Sequence, residues 1–151
     1  MADTVNGEQV VAALQRAAAR LIEDEDYFNR LDAAMGDGDM GITAAKGAHG
    51  LQDFLAANQP GDDLGKFLAN AGMAFNRTAP STLGALTASA LMRAGKECKG
   101  QTFLDAAVLA RMVRAADQGI QERGKAHPGD KTIVDALHPA AVAFDEEVAR
   151  G

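Results

Sequence analysis

Aspartate and glycine alternate in residues 31–41, which read LDAAMGDGDMG. The glycines let this backbone turn tightly and approach a ligand, so the carboxylates of Asp32, Asp37 and Asp39 can converge if the loop curls. Three carboxylates in one place repel one another unless a cation offsets their charge. Hard oxygen ligands suit Mg²⁺ or Ca²⁺ better than Zn²⁺. The spacing therefore predicts a divalent-cation site with Asp32, Asp37 and Asp39 as its ligands.

Other interpretations of this loop give different chemistry. A hydrophilic turn followed by a helix cap explains the same residue types. An EF-hand loop that begins at Asp37 is excluded because its twelfth position is Ala48, where a bidentate Glu is needed. A Walker loop is excluded because no strand precedes the segment and no Gly-Lys-Ser/Thr follows it. Mg²⁺ with a phosphorylated ligand remains the best chemical interpretation, and Thr43 would offer phosphate a hydroxyl beside free helix-terminal amides.

Two later loops also carry glycine and hydroxyl residues at the start of a predicted helix. They are residues 79–84 (APSTLG) and residues 124–132 (GKAHPGDKT). The amides and the dipole of a helix N-terminus favour an anion there. Taken alone, the first loop is better explained by an ordinary Ser/Thr cap, and Lys131 in the second loop is equally well explained as a solvated side chain. Together with the aspartate loop they favour one shared phosphate site, to which the loops would offer Ser81, Thr82, Lys131 and Thr132.

Apolar residues recur at helical spacing along almost the whole chain. The first helix carries Val10, Leu14 and Leu21 and continues to Leu31, with the acidic run at 23–26 as a solvated turn. Five more helices are predicted. They start near Thr43, Asp62 or Asp63, Ser81 or Thr82, Thr102 with Asp105, and Lys131 or Thr132. In the last one, Asp130 is the expected cap and Pro139 the expected site of a kink. No convincing strand is found. The predicted fold is an all-α antiparallel helical bundle or barrel of about six helices, in a single domain over residues 1–151.

Composition narrows the class of protein. The chain has 151 residues, 47% of them hydrophobic and 5% aromatic, which suits one helical domain. With 15 Lys and Arg against 21 Asp and Glu, the net charge is −6, so nucleic acid is not an expected partner. No apolar run is long enough to span a membrane and no signal peptide is visible. Cys98 stands alone, so no internal disulfide forms, and a cytoplasmic location is expected.

The aspartate loop and the later segment 123–135 (RGKAHPGDKTIVD) resemble the two signatures of the nucleotide-binding L subunit, or L-type domain, of dihydroxyacetone kinases, in the family's order. The segment 70–73 (NAGM) agrees as well. The resemblance runs from about residue 8 to the end of the chain. The family often has His or Thr in place of Met40 and Asn in place of Thr43, and its Gly-Gly-x-Ser-Gly loop reads here as residues 80–84.

The resemblance implies a helical barrel that holds an adenine nucleotide at one end through Mg²⁺ bound to Asp32, Asp37 and Asp39. The residues it places at the nucleotide are Met40, Gly41, Ile42 and Thr43 along the phosphates, Ser81, Thr82 and Leu83 on a second wall, and Gly124 and Ile133 at the nucleoside. In the family, further helices close the barrel, and that region carries an Asp-Pro-Gly turn and an Arg that touch the nucleotide. This chain is expected to be short of them.

The implied function is that of a Mg-ADP/ATP-binding kinase subunit in glycerol metabolism. It would supply the phosphoryl group to dihydroxyacetone held covalently, through a His, by a K-type partner subunit. None of His49, His127 and His138 matches that His, and no catalytic residue is assigned to this chain. The donor stays open between ATP and a phosphocarrier protein that recharges bound ADP, and the substrate between dihydroxyacetone, related ketoses and acyl chains. The alternatives are a non-catalytic nucleotide-responsive partner-binding module of the same fold and a plain bundle with an acidic turn.

Overall fold

The computed structural model describes residues 4–151, so residues 1–3 of the predicted domain lie outside the described part. It contains seven α-helices and one pair of two-residue strands. The elements are β1 (Val5–Asn6), α1 (Gly7–Glu23), α2 (Glu25–Ala33), α3 (Met40–Ala57), α4 (Leu64–Thr78), α5 (Thr82–Glu97), β2 (Phe103–Leu104), α6 (Ala106–Gly124) and α7 (Val134–Arg150). The all-α prediction is confirmed. None of the helices within residues 4–151 is long and apolar enough to cross a bilayer.

The strand pair is a feature that the sequence pattern did not predict. β1 and β2 run antiparallel, with Val5 opposite Leu104 and Asn6 opposite Phe103. Two residues are too few to show the alternation of apolar and polar side chains by which a strand is recognised. The pair ties the start of α1 to the segment that leads into α6.

The predicted first helix is two helices, α1 and α2, that meet at Asp24. The Asp24 backbone (φ −91°, ψ 13°) caps the end of α1 and the start of α2. Its N–H donates to the Arg20 carbonyl and its carbonyl accepts from the Phe28 N–H, each at 3.0 Å. The break occupies one residue and contains neither Gly nor Pro. The helical spacing of apolar residues therefore continues across it, which is why the sequence predicted a single helix.

Side-chain caps fix the starts of three later helices. The side-chain oxygens of Asp63, Ser81 and Asp105 accept hydrogen bonds from backbone N–H groups three residues on, at 2.9, 3.1 and 2.8 Å. These bonds satisfy amides that have no partner inside the helix. The predicted starts at Asp63 and Ser81 are confirmed. At α6 only Asp105 is the cap, and Thr102 lies outside the helix, before β2.

The last helix starts at Val134, later than predicted, and runs through Pro139 as one element. Asp130 is not its cap, because the Asp130 carboxylate accepts a hydrogen bond from the His127 N–H at 2.8 Å, inside the preceding loop. The hydroxyl of Thr132 instead accepts from the Val134 N–H at 3.1 Å.

The helices pack in the order α1, α3, α4, α5, α6 and α7, with α2 against α3. Short connections make successive helices from α3 onward antiparallel neighbours. Two clusters of buried apolar side chains fill the interior. One lies among α1, α3 and α4, around Phe67 and Phe75. The other joins α1, α4, α5 and α6, around Leu64 and Cys98. Within the described residues, α7 contributes to neither cluster and packs chiefly on α6.

The single cysteine belongs to this interior. Cys98 has no exposed surface, and burial, the largest cause, raises the pKa of its thiol to about 11. A thiol that stays protonated at neutral pH is not a nucleophile. Cys98 is therefore a packing residue.

Candidate functional site

The structure brings together the three aspartates that the sequence singled out. One carboxylate oxygen of each of Asp32, Asp37 and Asp39 lies within 4.8 Å of the others. Asp32 is half-buried in the last turn of α2, and the other two are exposed in the loop that leads to α3. We call these three residues the aspartate cluster.

Backbone amides fix the orientation of Asp32. Its Oδ2 atom accepts hydrogen bonds from the N–H groups of Gly38, Asp39 and Met40, at 2.9, 3.1 and 3.3 Å. Gly38 adopts φ +79°, a left-handed conformation that glycine enters without strain and that returns the loop to Asp32. All three bonds fall on Oδ2, and a Cβ at Gly36 would lie 2.5 Å from Oδ1. The loop thus holds Oδ1 beside a residue that has no side chain.

The electrostatics of the cluster are unfavourable without a cation. The negative charge of Asp37 is the largest of the causes that raise the pKa of Asp39, and desolvation, a side-chain hydrogen bond to Asp37 and the charge of Asp32 add to it. Lys46 acts in the opposite direction. Oxygen ligands of like charge at this separation are the donor set that Mg²⁺ and Ca²⁺ prefer. The residues therefore fit a divalent cation.

The first turn of α3 is already bonded to α2, contrary to the expectation that its amides are free for phosphate. Asn29 Oδ1 accepts from the Ile42 N–H at 3.1 Å, and the Met40 N–H donates to Asp32. A Cβ at Gly41 would lie 1.9 Å from the Glu25 carbonyl oxygen. Because α2 crosses so close to this turn, its polar side chains satisfy amides that are otherwise exposed at a helix start. Thr43 is half-buried, and its contact with phosphate stays a prediction.

A cavity of about 460 Å³ lies beside the aspartate cluster. Its lining comes from the N-terminal ends of α3, α5 and α7, from the last turns of α6 and from the loop between α6 and α7. The lining residues are Met40, Thr82, Leu83, Leu86, Thr87, Ile120, Gly124, Ala126, Thr132, Ile133 and Val134. Met40 follows Asp39 directly in the chain, so this cavity and the cluster share one end of the bundle.

Five of the nine predicted nucleotide-contact residues line this one cavity. They are Met40, Thr82, Leu83, Gly124 and Ile133. Gly41, Ile42, Thr43 and Ser81 are outside the lining. The Ser81 hydroxyl caps α5 and donates to the Ala79 carbonyl at 3.2 Å, so its position is explained by helix capping.

Sequence reasoning missed several lining residues that helical spacing identifies. Leu86 and Thr87 lie one turn beyond Thr82 and Leu83, and Ile120 lies one turn before Gly124. Residues three or four apart on a helix share a face. Extending each predicted contact by one turn would have found them.

The loop between α6 and α7 is organised by an aspartate that was not among the predicted site residues. Asp135 accepts hydrogen bonds from the N–H groups of Gly129 and Thr132, at 2.6 and 2.8 Å. These bonds lower the pKa of Asp135, because they favour the charged carboxylate. Lys131 is exposed with φ +58° and is not in the cavity lining, whereas Thr132 is.

Known proteins are similar to this chain in sequence and fold. Residues 34–151 match the DAK2 domain family. The chain is 33% identical over 128 residues to the PEP-dependent dihydroxyacetone kinase 1, ADP-binding subunit DhaL, of Listeria innocua, covering 85% of this chain and 64% of that protein. It is 34% identical to the D-erythrulose kinase of Mycolicibacterium smegmatis over 95% of this chain and 25% of that protein. The chain thus spans less than two thirds of the length of these relatives.

The fold matches the dihydroxyacetone kinase of C. freundii in two crystal structures. The native form gives a TM-score of 0.79 at 26% identity and covers 95% of this chain and 26% of that one. The complex with AMP-PNP and Mg²⁺ gives 0.72 at 27% identity, over 94% of this chain and 26% of that one. With a family match over most of its residues, the chain belongs to the DAK2 domain family, as its two signatures indicate.

Proposed function

We propose that this chain is the Mg-ADP/ATP-binding unit of a dihydroxyacetone-type kinase, and that it supplies a phosphoryl group to a short ketose held by a K-type partner subunit. The observation that carries this proposal is the junction of Asp39 and Met40. There, a cluster of three carboxylates adjoins a largely apolar cavity. A nucleotide needs both environments, one for its phosphates and metal and one for its base.

The cavity suits the nucleoside part. Its volume of about 460 Å³ falls within the range of small-ligand pockets, about 300–1,000 Å³. Its walls are mainly apolar, with the hydroxyls of Thr82, Thr87 and Thr132 as polar points. Such a lining buries a flat base and orients it through a few hydrogen bonds.

The cluster suits the phosphate part. Asp32, Asp37 and Asp39 would hold Mg²⁺, which offsets the charge of phosphate oxygens when it is bound. The start of α5 is at this end of the bundle, and its positive dipole end favours an anion. Asp32, anchored by three amides, would keep the other two carboxylates aligned with the cavity.

The relatives support the choice of nucleotide and substrate class. The Listeria protein is described as an ADP-binding subunit, and the C. freundii kinase was crystallised with AMP-PNP and Mg²⁺. Dihydroxyacetone and D-erythrulose, in the names of two relatives, are both short ketoses. The PEP dependence of the Listeria protein favours a phosphocarrier as one source of phosphoryl groups.

A reconstitution assay tests the proposal. This chain would be mixed with a K-type dihydroxyacetone-binding subunit, dihydroxyacetone and Mg-ATP, and formation of the phosphorylated ketose would be followed. We expect product with the wild-type chain and none with Asp37→Asn. Nucleotide binding without product would replace the kinase proposal with the non-catalytic module, and absence of both would reject nucleotide chemistry altogether.

A further inference from the structure

A buried carboxylate joins the last two helices. Asp117, on α6, has a side chain only 4% exposed. Its Oδ2 atom accepts from Gln121 Nε2 at 3.0 Å and lies 2.8 Å from Nδ1 of His138, on α7. Within residues 4–151, its Oδ1 atom has no hydrogen-bond partner. A buried carboxylate with an unsatisfied oxygen is costly unless a positive charge accompanies it.

This pair lies one helical turn along α6 and α7 from residues that line the candidate nucleotide cavity. Asp117 is one turn before Ile120, and His138 is one turn after Val134. Ile120 and Val134 both line the cavity, as do residues of the loop between them. The contact between Asp117 and His138 therefore joins α6 to α7 just outside the segment 120–134, which contributes this wall.

α7 packs chiefly on one neighbour. Among the described residues, it belongs to neither apolar core cluster, and α6 is its main neighbour. A second polar link between these helices is the ion pair of Arg114 with Asp145, at 2.5 Å. α7 buries the apolar side chains of Val134 and Ala141, and the two polar links to α6 add to this packing.

We propose that Asp117 and His138 are positioning residues that form a proton-dependent clamp, which holds α7 on α6 and so sets the cavity wall that receives the nucleoside. The effect of the clamp on nucleotide binding rests on the proposed function. Protonated His138 gives Asp117 a charged partner, and loss of that proton leaves the buried carboxylate with neutral donors only. The clamp is thus firmer at pH 6 than at pH 8, the interval in which an imidazole changes its charge.

The other groups facing His138 do not produce the same pH dependence. Arg114, Asp145 and Asp117 are the charged side chains around the same recess, with Gln118 and Gln121. The hydrogen bond between Arg114 and Asp145 raises the pKa of the guanidinium and lowers the pKa of the carboxyl. Both therefore keep their charges between pH 5 and 8, the interval in which an imidazole changes its own.

Nucleotide affinity at two pH values tests the clamp. ADP with Mg²⁺ would be titrated calorimetrically at pH 6 and pH 8 into wild type, His138→Gln and Asp117→Asn, and the control Asp145→Asn. From pH 6 to pH 8, the affinity of wild type for ADP should fall about fivefold more than that of His138→Gln or Asp117→Asn. The expected coupling between the clamp and the nucleotide is modest because the imidazole is half exposed. The control removes the other ion pair between the same helices and should keep the wild-type dependence. Comparison with the variants cancels titration of the nucleotide's own phosphates.

A measurement without nucleotide separates the clamp from the proposed function. Amide hydrogen exchange over residues 126–137, corrected for intrinsic rates, would be recorded at the same two pH values. Protection should fall from pH 6 to pH 8 in wild type and stay level in His138→Gln. If ADP binds no variant, this arm alone decides whether the clamp exists. Equal behaviour of wild type and His138→Gln in exchange would overturn the proposal, and so would a clamp seen in exchange with no difference in the pH dependence of affinity.

Discussion

At the scale of single residues, the aspartate cluster combines one anchored carboxylate with two that only the loop holds. Three backbone amides fix Asp32, whereas Asp37 and Asp39 are exposed and repel each other. An arrangement that raises the free energy of the metal-free fold is expected where a ligand supplies the compensation. The repulsion between these carboxylates should therefore lower the stability of the protein when no metal is bound.

Replacement of Asp37 tests this cost. Asp37→Asn should raise the melting temperature of the metal-free protein at pH 7, because it removes the largest cause that raises the pKa of Asp39. A raised pKa in the folded state means that wild type loses stability as pH rises above the ordinary value of 3.8. The gain should therefore vanish below that pH and shrink in high salt, which screens exposed charges. Thermal unfolding in a chelator measures it.

A matched variant shows whether the gain belongs to the cluster. Asp62→Asn removes one negative charge from an exposed aspartate in the loop between α3 and α4. It should leave the melting temperature nearly unchanged. A decrease in Asp37→Asn, or an equal increase in both variants, would contradict repulsion within the cluster.

At the scale of elements, the crossing of α2 over the first turn of α3 positions the site. Gly41 permits this crossing, since a Cβ there would lie 1.9 Å from the Glu25 carbonyl oxygen. Asn29 and Asp32, both on α2, then bond to the amides of that turn. The cluster and the helix start are thus one structural unit.

Substitution of Gly41 should disturb stability and the site together. Gly41→Ala places a methyl group against backbone that cannot move aside, and we expect a loss of about 2 kcal/mol in the free energy of unfolding. At Gly124 a Cβ would meet only Cδ2 of Leu86, the end of a flexible side chain, at 3.3 Å. Gly124→Ala should cost far less, because that methyl group can move aside. Urea unfolding measures the free energy of unfolding of both variants. Equal losses would show that α2 and α3 are not tightly packed where they cross.

Most elements could be predicted because their signals are local. Asp63 and Ser81 cap their helices with bonds to residues three positions on, which spacing alone indicates. The break at Asp24 and the two-residue strands carry no such signal. The contact of Asp117 with His138 joins side chains 21 positions apart, and only the packing of α7 on α6 brings them together.

The candidate site follows the same division. Convergence of the three aspartates could be predicted because glycines separate them within one short loop. The loss of free amides at α3 could not, because it depends on the path of α2 across that helix. For the cavity, the family resemblance supplied lining residues on α3, α5 and α6 and in the loop before α7, and the helical period accounts for several of the rest.

At the scale of the whole molecule, antiparallel helices bring distant loops to one end. The starts of α3, α5 and α7 and the end of α6 surround one cavity, and the aspartate cluster adjoins it at Met40. The net charge of −6 makes an anionic ligand unfavourable at long range, so a cation at the cluster is needed for phosphate to approach. Nucleotide binding should therefore depend on Mg²⁺.

A calorimetric titration of ADP into this chain, with Mg²⁺ and with chelator, tests the central claim most directly. We expect saturable binding at one site with Mg²⁺, at least about tenfold weaker binding with chelator, and loss of Mg²⁺-dependent binding in Asp37→Asn and Asp39→Asn. Equal affinity with and without Mg²⁺, or unchanged affinity in both variants, would contradict the assignment of the three aspartates as the metal and nucleotide site.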